Sequence, residues 1–341
     1  MIELIKKLII KIISQIGLSD FFFKRFKAFL LLFKLNRIKD EVIISCVDLK
    51  VTPPTIGDFL YLVLILRYLV SINKKIIFLL IKGEYRDSWS YLNKDEIIEK
   101  ENYFIYLVDL LLPKKSVISC SKIRFDELKN FKNTIIFQSE IIKRKPMHNH
   151  FFNINNIILN QANQNLKEKI FLKRTDFKNI QFNYKNYICW HIRYSEKWDL
   201  NRNISKQDFE LIGNFLSQKF YGKKILIISD LEGCNYSKKL NKLYNFNLVF
   251  SSDYTNNFEG CANLILKSNF YFQYKGGGVS VIAVFSNIPY LICQKIKNYA
   301  NEYISNDFKF LSIANKNQNF IDISKYSNLK KTLDIANRRF F

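Results

Sequence analysis

The sequence predicts an α/β chain made of two successive parallel-sheet domains facing a cleft. Three observations predict it. Short apolar runs without polar alternation recur, as in Glu41-Val-Ile-Ile-Ser-Cys-Val-Asp48 and Lys224-Ile-Leu-Ile-Ile-Ser229, and such runs suit strands buried on both faces. Apolar stretches of helix length stand between consecutive runs, which is the pattern of βαβ units. The pattern resets near residue 187 after an Asn-rich stretch, so the 341 residues divide into about two domains at ~150 residues each.

Residues 1–38 form the first segment, a basic amphipathic pair of helices. Lys6, Lys7 and Lys11 make a polar stripe on the first, Gly17-Leu-Ser-Asp20 breaks it, and Lys24, Lys27 and Lys34 mark the second. Such helices suit an anionic bilayer surface or packing against the domain. Lysines interrupt every run here, and Arg67 interrupts residues 59–70, so no segment is expected to span a membrane. No small-residue cleavage site follows, which argues against a signal peptide.

The first sheet domain is placed at 39–165, with a strand at 41–48, a loop at 51–58, a helix at 59–71 and a strand at 75–81. Residues 105–112, 116–119 and 134–137 are expected to continue its sheet. The second domain is placed at 166–326, with strands at 187–192, 224–229, 247–250, 270–274 and 290–293. Its helices are expected at 208–220, up to 244, at 258–267 and at 280–285, and a final helix at 327–341 closes the chain.

Lys+Arg 53 against Asp+Glu 30 gives +23, which invites an anionic partner. Only 11 of those cations are Arg, and nucleic-acid readers favour Arg, so nucleic acid is disfavoured. The six cysteines, Cys46, Cys120, Cys189, Cys234, Cys261 and Cys293, are scattered without a CxxC and read as buried free thiols of a reducing compartment. His148 and His150 lack further ligands nearby, so no metal is expected. The motifs of P-loop ATPases, dinucleotide oxidoreductases, zincins and serine hydrolases are absent, as is D-x-D.

The chemistry concentrates in a few places. Gly276, Gly277 and Gly278 are three of only 10 glycines and stand between an apolar strand and an apolar helix. A loop there can turn its amides toward a phosphate, with Lys275 adding a cation and Ser280 a hydroxyl. Arg193, in His191-Ile-Arg193, and Arg202 lie just beyond a strand end, where guanidinium forks suit a diphosphate or pair with Glu196 or Asp199. In Thr55-Ile-Gly-Asp58, Asp58 reads either as the acidic half of a capping box or as a base for an acceptor hydroxyl. Ser229 and Asp230 end a strand and Glu259 opens a helix, which suits a ribose, a base or plain helix capping.

These residues together resemble a family. Two Rossmann-like halves with a phosphate site in the second resemble the GT-B glycosyltransferases, and residues 268–289 resemble their donor-binding strand-loop-helix. Thr55-Ile-Gly-Asp-Phe-Leu60 is similar to the Gly-Asp motif of heptosyltransferase-like enzymes of lipopolysaccharide synthesis, which implies a base role for Asp58. His191-Ile-Arg193 resembles the His-x-Arg motif of fucosyltransferase-like enzymes, which implies that Arg193 holds a donor diphosphate. Lys275 and Val279 flank the glycines where heptosyltransferases usually carry Asp and His, and Tyr194-Ser-Glu196 follows the His-x-Arg, so the donor sugar stays open.

The resemblance implies a metal-independent, inverting glycosyltransferase without a cofactor. A nucleotide-sugar is the co-substrate and a glycan or lipid-linked molecule the acceptor, at the cytoplasmic face of a membrane. Competing readings of related fold are a polysaccharide pyruvyltransferase and a sugar-nucleotide epimerase. A binder of anionic lipid or RNA is the reading of another class.

Overall fold

The computed structural model describes residues 42–49, 55–82, 92–124, 126–127, 168–197, 199–295 and 314–341. The basic helices expected within 1–38, the strand expected at 134–137, His148, His150 and the boundaries at 38 and 165 lie outside them.

Two parallel sheets are present. The first unit runs β1 (Val42–Asp48), α1 (Ile56–Ser71), β2 (Lys75–Ile81), α2 (Lys94–Leu111) and β3 (Val117–Ile123). Its strands pair in the order β1-β2-β3, all parallel. α1 begins three residues earlier than the sequence suggests, which places Gly57 and Asp58 in its first turn. Thr55 sits at the N-cap, yet its side chain makes no capping hydrogen bond, so its half of the expected capping box does not form.

Residues 105–112 were expected to be strand, and the structure corrects this. Residues 105–111 are the second half of α2 and Leu112 is its extended C-cap; the helix opens with a capping box between Asn93 and Glu96. Phe104, Leu107, Val108 and Leu111 are buried at spacings of three and four. That helical period outweighs the apolar run that suggested a strand.

The second unit runs β4 (Tyr187–His191), α3 (Lys206–Lys219), β5 (Lys224–Ile228), α4 (Leu231–Tyr244), β6 (Leu248–Phe250), α5 (Phe258–Lys267), β7 (Tyr271–Tyr274), α6 (Ser280–Val284), β8 (Tyr290–Gln294), β9 (Gln318–Asp322) and α7 (Leu329–Phe340). The strands are parallel in the order β6-β5-β4-β7-β8-β9. The chain therefore builds outward from β4 to β6, then returns to β7 on the other side of β4. Open sheets bind ligands at such a reversal, outside the carboxyl ends of the strands.

β9 has no counterpart in the sequence reading. Its segment, Gln318-Asn-Phe-Ile-Asp322, carries only two apolar residues. It is buried because its polar ends are satisfied locally. The Gln318 amide donates to the carbonyls of Ser286 and Ile288 at 2.7 and 3.0 Å, and Asp322 accepts from the Ser324 amide at 2.9 Å.

One apolar core joins both sheets through α1. Residues 59–66 are buried all round, the mark of a helix enclosed by protein on every side. Phe59 stacks on Phe104 of α2 at 4.2 Å, and Tyr61 meets Phe285, just beyond α6, edge-on at 5.3 Å. Arg67 is the cation in this apolar helix. It pairs with Asp176 at 3.0 Å and donates to the carbonyls of Leu111 and Phe171. All six cysteines are free thiols, and Cys46, Cys189, Cys234 and Cys293 are buried. Burial pushes their neighbour Cys261 up to about 11.

Candidate functional site

Two loops flank the reversal of strand order. One follows β4 and leads through Arg193 and Arg202 to α3; the other follows β7 and carries the three glycines. His191 and Gln273 are the register pair at the ends of these neighbouring strands.

Lys275 and Gly276 open the glycine loop in the left-handed region, at φ +64° and +86°. That conformation costs a lysine roughly 1–2 kcal/mol, and three interactions hold it. The Lys275 amide donates to the Cys293 carbonyl at 2.8 Å, its carbonyl accepts from Arg202 Nε at 3.0 Å, and its Nζ pairs with Asp208 at 3.0 Å. Lys275 was expected to offer its cation to a phosphate; its ammonium instead faces Asp208 in the first turn of α3.

The amides of Gly276, Gly277, Gly278 and Val279 donate to no protein acceptor among the described residues. Consecutive amides of this kind form a concavity suited to an anion. The carbonyls of the same loop are used. Gly277 accepts from the Ser280 amide at 3.2 Å and its hydroxyl at 2.8 Å, and Gly278 accepts from Val281 at 3.3 Å. Ser280 thus shapes the turn. α6 has five residues, so its dipole is short and the loop amides themselves carry the anion-binding character.

Close approach explains two of the glycines. A Cβ on Gly277 would lie 2.1 Å from His191 Cε1, with both ring nitrogens farther away at 2.9 and 3.1 Å, so the loop abuts the Cε1 edge of the imidazole. A Cβ on Gly278 would lie 2.9 Å from the amide nitrogen of Gly57. The glycine loop therefore touches the first turn of α1, one residue before Asp58. Two motifs separated by more than 200 residues of sequence meet backbone to backbone.

His191 is 6% exposed. Its Nδ1 donates to Gln273 Oε1 at 2.8 Å, and the Tyr271 hydroxyl donates to the same oxygen at 2.7 Å. Burial holds the imidazole pKa down at about 4; Gln273 and Asp230 oppose this, and Arg202 and Arg193 add to it. His191 is neutral at physiological pH.

The arginines are tied into the loop after β4. Arg193 donates to the Asp199 carbonyl at 2.8 Å and to Asn203 Oδ1 at 3.1 Å. Arg202 pairs with Asp199 at 3.4 Å and reaches the glycine loop, its NH2 lying 2.8 Å from where a Gly276 Cβ would be. Asn203 staples the loop by bonding both the amide and the carbonyl of Ser195.

Ser229, Asp230 and Glu259 have structural partners. Ser229 donates its hydroxyl to the Ile192 carbonyl at 2.7 Å, and Asp230 caps α4 through the Gly233 amide at 2.8 Å. Glu259 stands near the Tyr106 hydroxyl of the other unit; burial first, and then this carboxylate, push that phenol up to about 12.

Sequence reasoning missed Gln273, Asn203, Asp208 and Gly57. Gln273 carried a signal, a lone amide inside the apolar run Phe270-Tyr-Phe-Gln-Tyr274. Gly57 carried another, a glycine in the first turn of an apolar helix. Asn203 and Asp208 had none, because their roles depend on loop geometry.

No protein-family model matches the sequence, and no curated protein matches it significantly. Among solved structures, the chain is similar to a glycosyl transferase family 9 protein from Veillonella parvula DSM 2008, with TM-score 0.44, 11% identity and coverage of 87% of this chain and 88% of that one. It is also similar to a putative UDP-N-acetylglucosamine 2-epimerase from Listeria monocytogenes, with TM-score 0.37, 10% identity and coverage of 87% and 88%. A glycosyltransferase from Rickettsia africae ESF-5 matches with TM-score 0.34, 12% identity and coverage of 88% of each chain. Likeness at this level does not carry an activity from one chain to another.

Proposed function

We propose that the chain is a glycosyltransferase moving a sugar from a nucleotide-sugar donor to a glycan or lipid-linked acceptor. One observation carries the reading: the loop whose four amides meet no acceptor among the described residues lies at the reversal of strand order, against Arg202 on one side and the first turn of α1 on the other. The donor diphosphate takes the loop amides, with Arg193 and Arg202 supplying positive charge. Stabilising the departing diphosphate is the main electrostatic contribution, because charge develops there as the sugar leaves.

Asp58 takes the proton of the acceptor hydroxyl. Direct attack of that hydroxyl on the anomeric carbon inverts its configuration. Loop amides and arginines neutralise the diphosphate, so the reaction proceeds without a metal. Acceptors of cell-surface polysaccharide or lipopolysaccharide synthesis fit a basic chain of net charge +23 working at the cytoplasmic face of a membrane. Among the described residues no helix is long and apolar enough to cross one.

The test is Asp58→Asn, assayed with labelled nucleotide-sugars and a bacterial glycolipid extract. Transfer should fall roughly 10²–10⁴-fold, the range for a general base, while donor binding stays as in the wild type. Full transfer by the variant removes Asp58 from the mechanism.

A further inference from the structure

We propose that Gln273 is a positioning residue: acting through His191, it sets the height of the glycine-loop amides and with it the loop's affinity for a phosphate anion. The loop rests on the His191 ring, since a Gly277 Cβ would fall 2.1 Å from Cε1 and 2.9 Å from Nε2. Whatever fixes that ring fixes the loop. Among the described residues the ring has one hydrogen bond, from Nδ1 to Gln273 Oε1 at 2.8 Å, and Gln273 is fully buried. Tyr271, two residues earlier on β7, locks the same oxygen from its other side at 2.7 Å.

The other end of the amide shows which end matters. Gln273 Nε2 is buried and has no hydrogen-bond partner among the described residues. Leaving a buried donor unmade is unfavourable, so the packing keeps glutamine here for its oxygen. A glutamate would supply the same oxygen without an orphan donor. It would also place a carboxylate on the imidazole and favour its charged form. Glutamine is the side chain that accepts from Nδ1–H and leaves the ring neutral, with unprotonated Nε2 beside the Cε1 edge that meets Gly277.

The inference rests on the proposed function for the nature of the natural ligand, and on the geometry alone for the loop. The test compares wild type, Gln273→Leu and Gln273→Glu. With 3 histidines and 10 glycines in the chain, selective ¹⁵N labelling reads the His191 tautomer and the loop amides directly. Affinities are measured for inorganic pyrophosphate, UDP, GDP and ADP.

In Gln273→Leu the Nδ1–H tautomer should be lost, the Gly277 and Gly278 amide resonances should move, and pyrophosphate affinity should fall at least tenfold. Gln273→Glu should restore the amide positions. Its affinity relative to wild type should then weaken as pH rises through neutrality, as the Glu–imidazolium pair gives up its proton and becomes negative; the ligand's own phosphate titration is common to both proteins and cancels in that ratio. Asp230 favours the charged ring and Arg193 and Arg202 disfavour it; they are common to all three proteins, as is the Tyr271 hydroxyl.

Unmoved amide resonances in Gln273→Leu, or moved resonances with unchanged pyrophosphate affinity, overturn the proposal. Wild-type binding of pyrophosphate but of no nucleotide overturns the proposed function and leaves this inference standing. Binding of neither overturns both.

Discussion

Gly278→Ala tests the contact that brings the two motifs together. The new Cβ would stand 2.9 Å from the Gly57 nitrogen and 3.3 Å from its Cα. Both are backbone atoms of buried Gly57, which opens a helix enclosed by protein over residues 59–66, so α1 has little room to yield. Gly278 is exposed, so the loop is the partner that moves. Overpacking of this kind costs about 1–3 kcal/mol. Unfolding entropy is about 2 cal/mol/K per residue, or roughly 0.7 kcal/mol/K for 341 residues. A cost of about 2 kcal/mol thus lowers Tm by only about 3 °C.

In the free protein the loop can shift to relieve the contact; a further cost of about 2 kcal/mol, borne only when the ligand draws the loop back against Gly57, weakens binding about 30-fold, since 1.4 kcal/mol is a factor of ten. The assay is calorimetric titration with the best-binding nucleoside diphosphate, beside a melting curve. Gly222→Ala is the control. Its φ is +76° with nothing within 4 Å of the added carbon, so it strains the backbone without touching the loop. It should cost about 1–2 kcal/mol and leave affinity unchanged. Wild-type affinity in Gly278→Ala, or equal losses in both variants, would refute the reasoning.

Two further outcomes follow from the core and from the buried histidine. Arg67→Met removes the partner of Asp176 and the donor to two carbonyls. Both ionic groups keep some solvent contact, and Asp176 retains the Lys173 amide, so the loss should be about 2 kcal/mol, below the 3–5 of a fully buried pair. It reads as a lower denaturant midpoint at unchanged slope, and a wild-type midpoint contradicts it. His191, lowered by burial from its ordinary 6.5 to about 4, binds fewer protons folded than unfolded. Its contribution is complete above pH 6.5 and is lost as pH falls toward 4, by about 3 kcal/mol. His191→Asn should flatten that part of the stability–pH curve, and parallel curves would contradict it.

Much of this was legible in the sequence because buried parallel strands announce themselves as apolar runs. β4, β5, β7 and β8 stand where their runs place them, as do the glycine loop and the Arg193 turn. Failures came where local pattern is ambiguous. The 105–112 run is as apolar as a strand, and only its periodicity with Glu101 and Phe104 reveals α2. β9 is too polar to see, because its burial depends on amide hydrogen bonds from Gln318 to Ser286 and Ile288. Lys275 looked like a phosphate cation from its place in the chain, yet the left-handed backbone there turns its side chain to Asp208. The Gly57–Gly278 contact was out of reach, since nothing local to either residue encodes a meeting across the molecule.

The central claim, that the glycine loop holds a nucleoside diphosphate, is tested most directly by the melting temperature of the purified chain with UDP, GDP, ADP, CMP or phosphoenolpyruvate, with and without magnesium. One nucleoside diphosphate at 100 times its Kd should stabilise the fold by about 2.7 kcal/mol. That is roughly 4 °C for a chain of 341 residues, at about 2 cal/mol/K per residue, and it should be equal with and without the metal. No shift with any nucleotide, or a shift with phosphoenolpyruvate alone, would contradict the account.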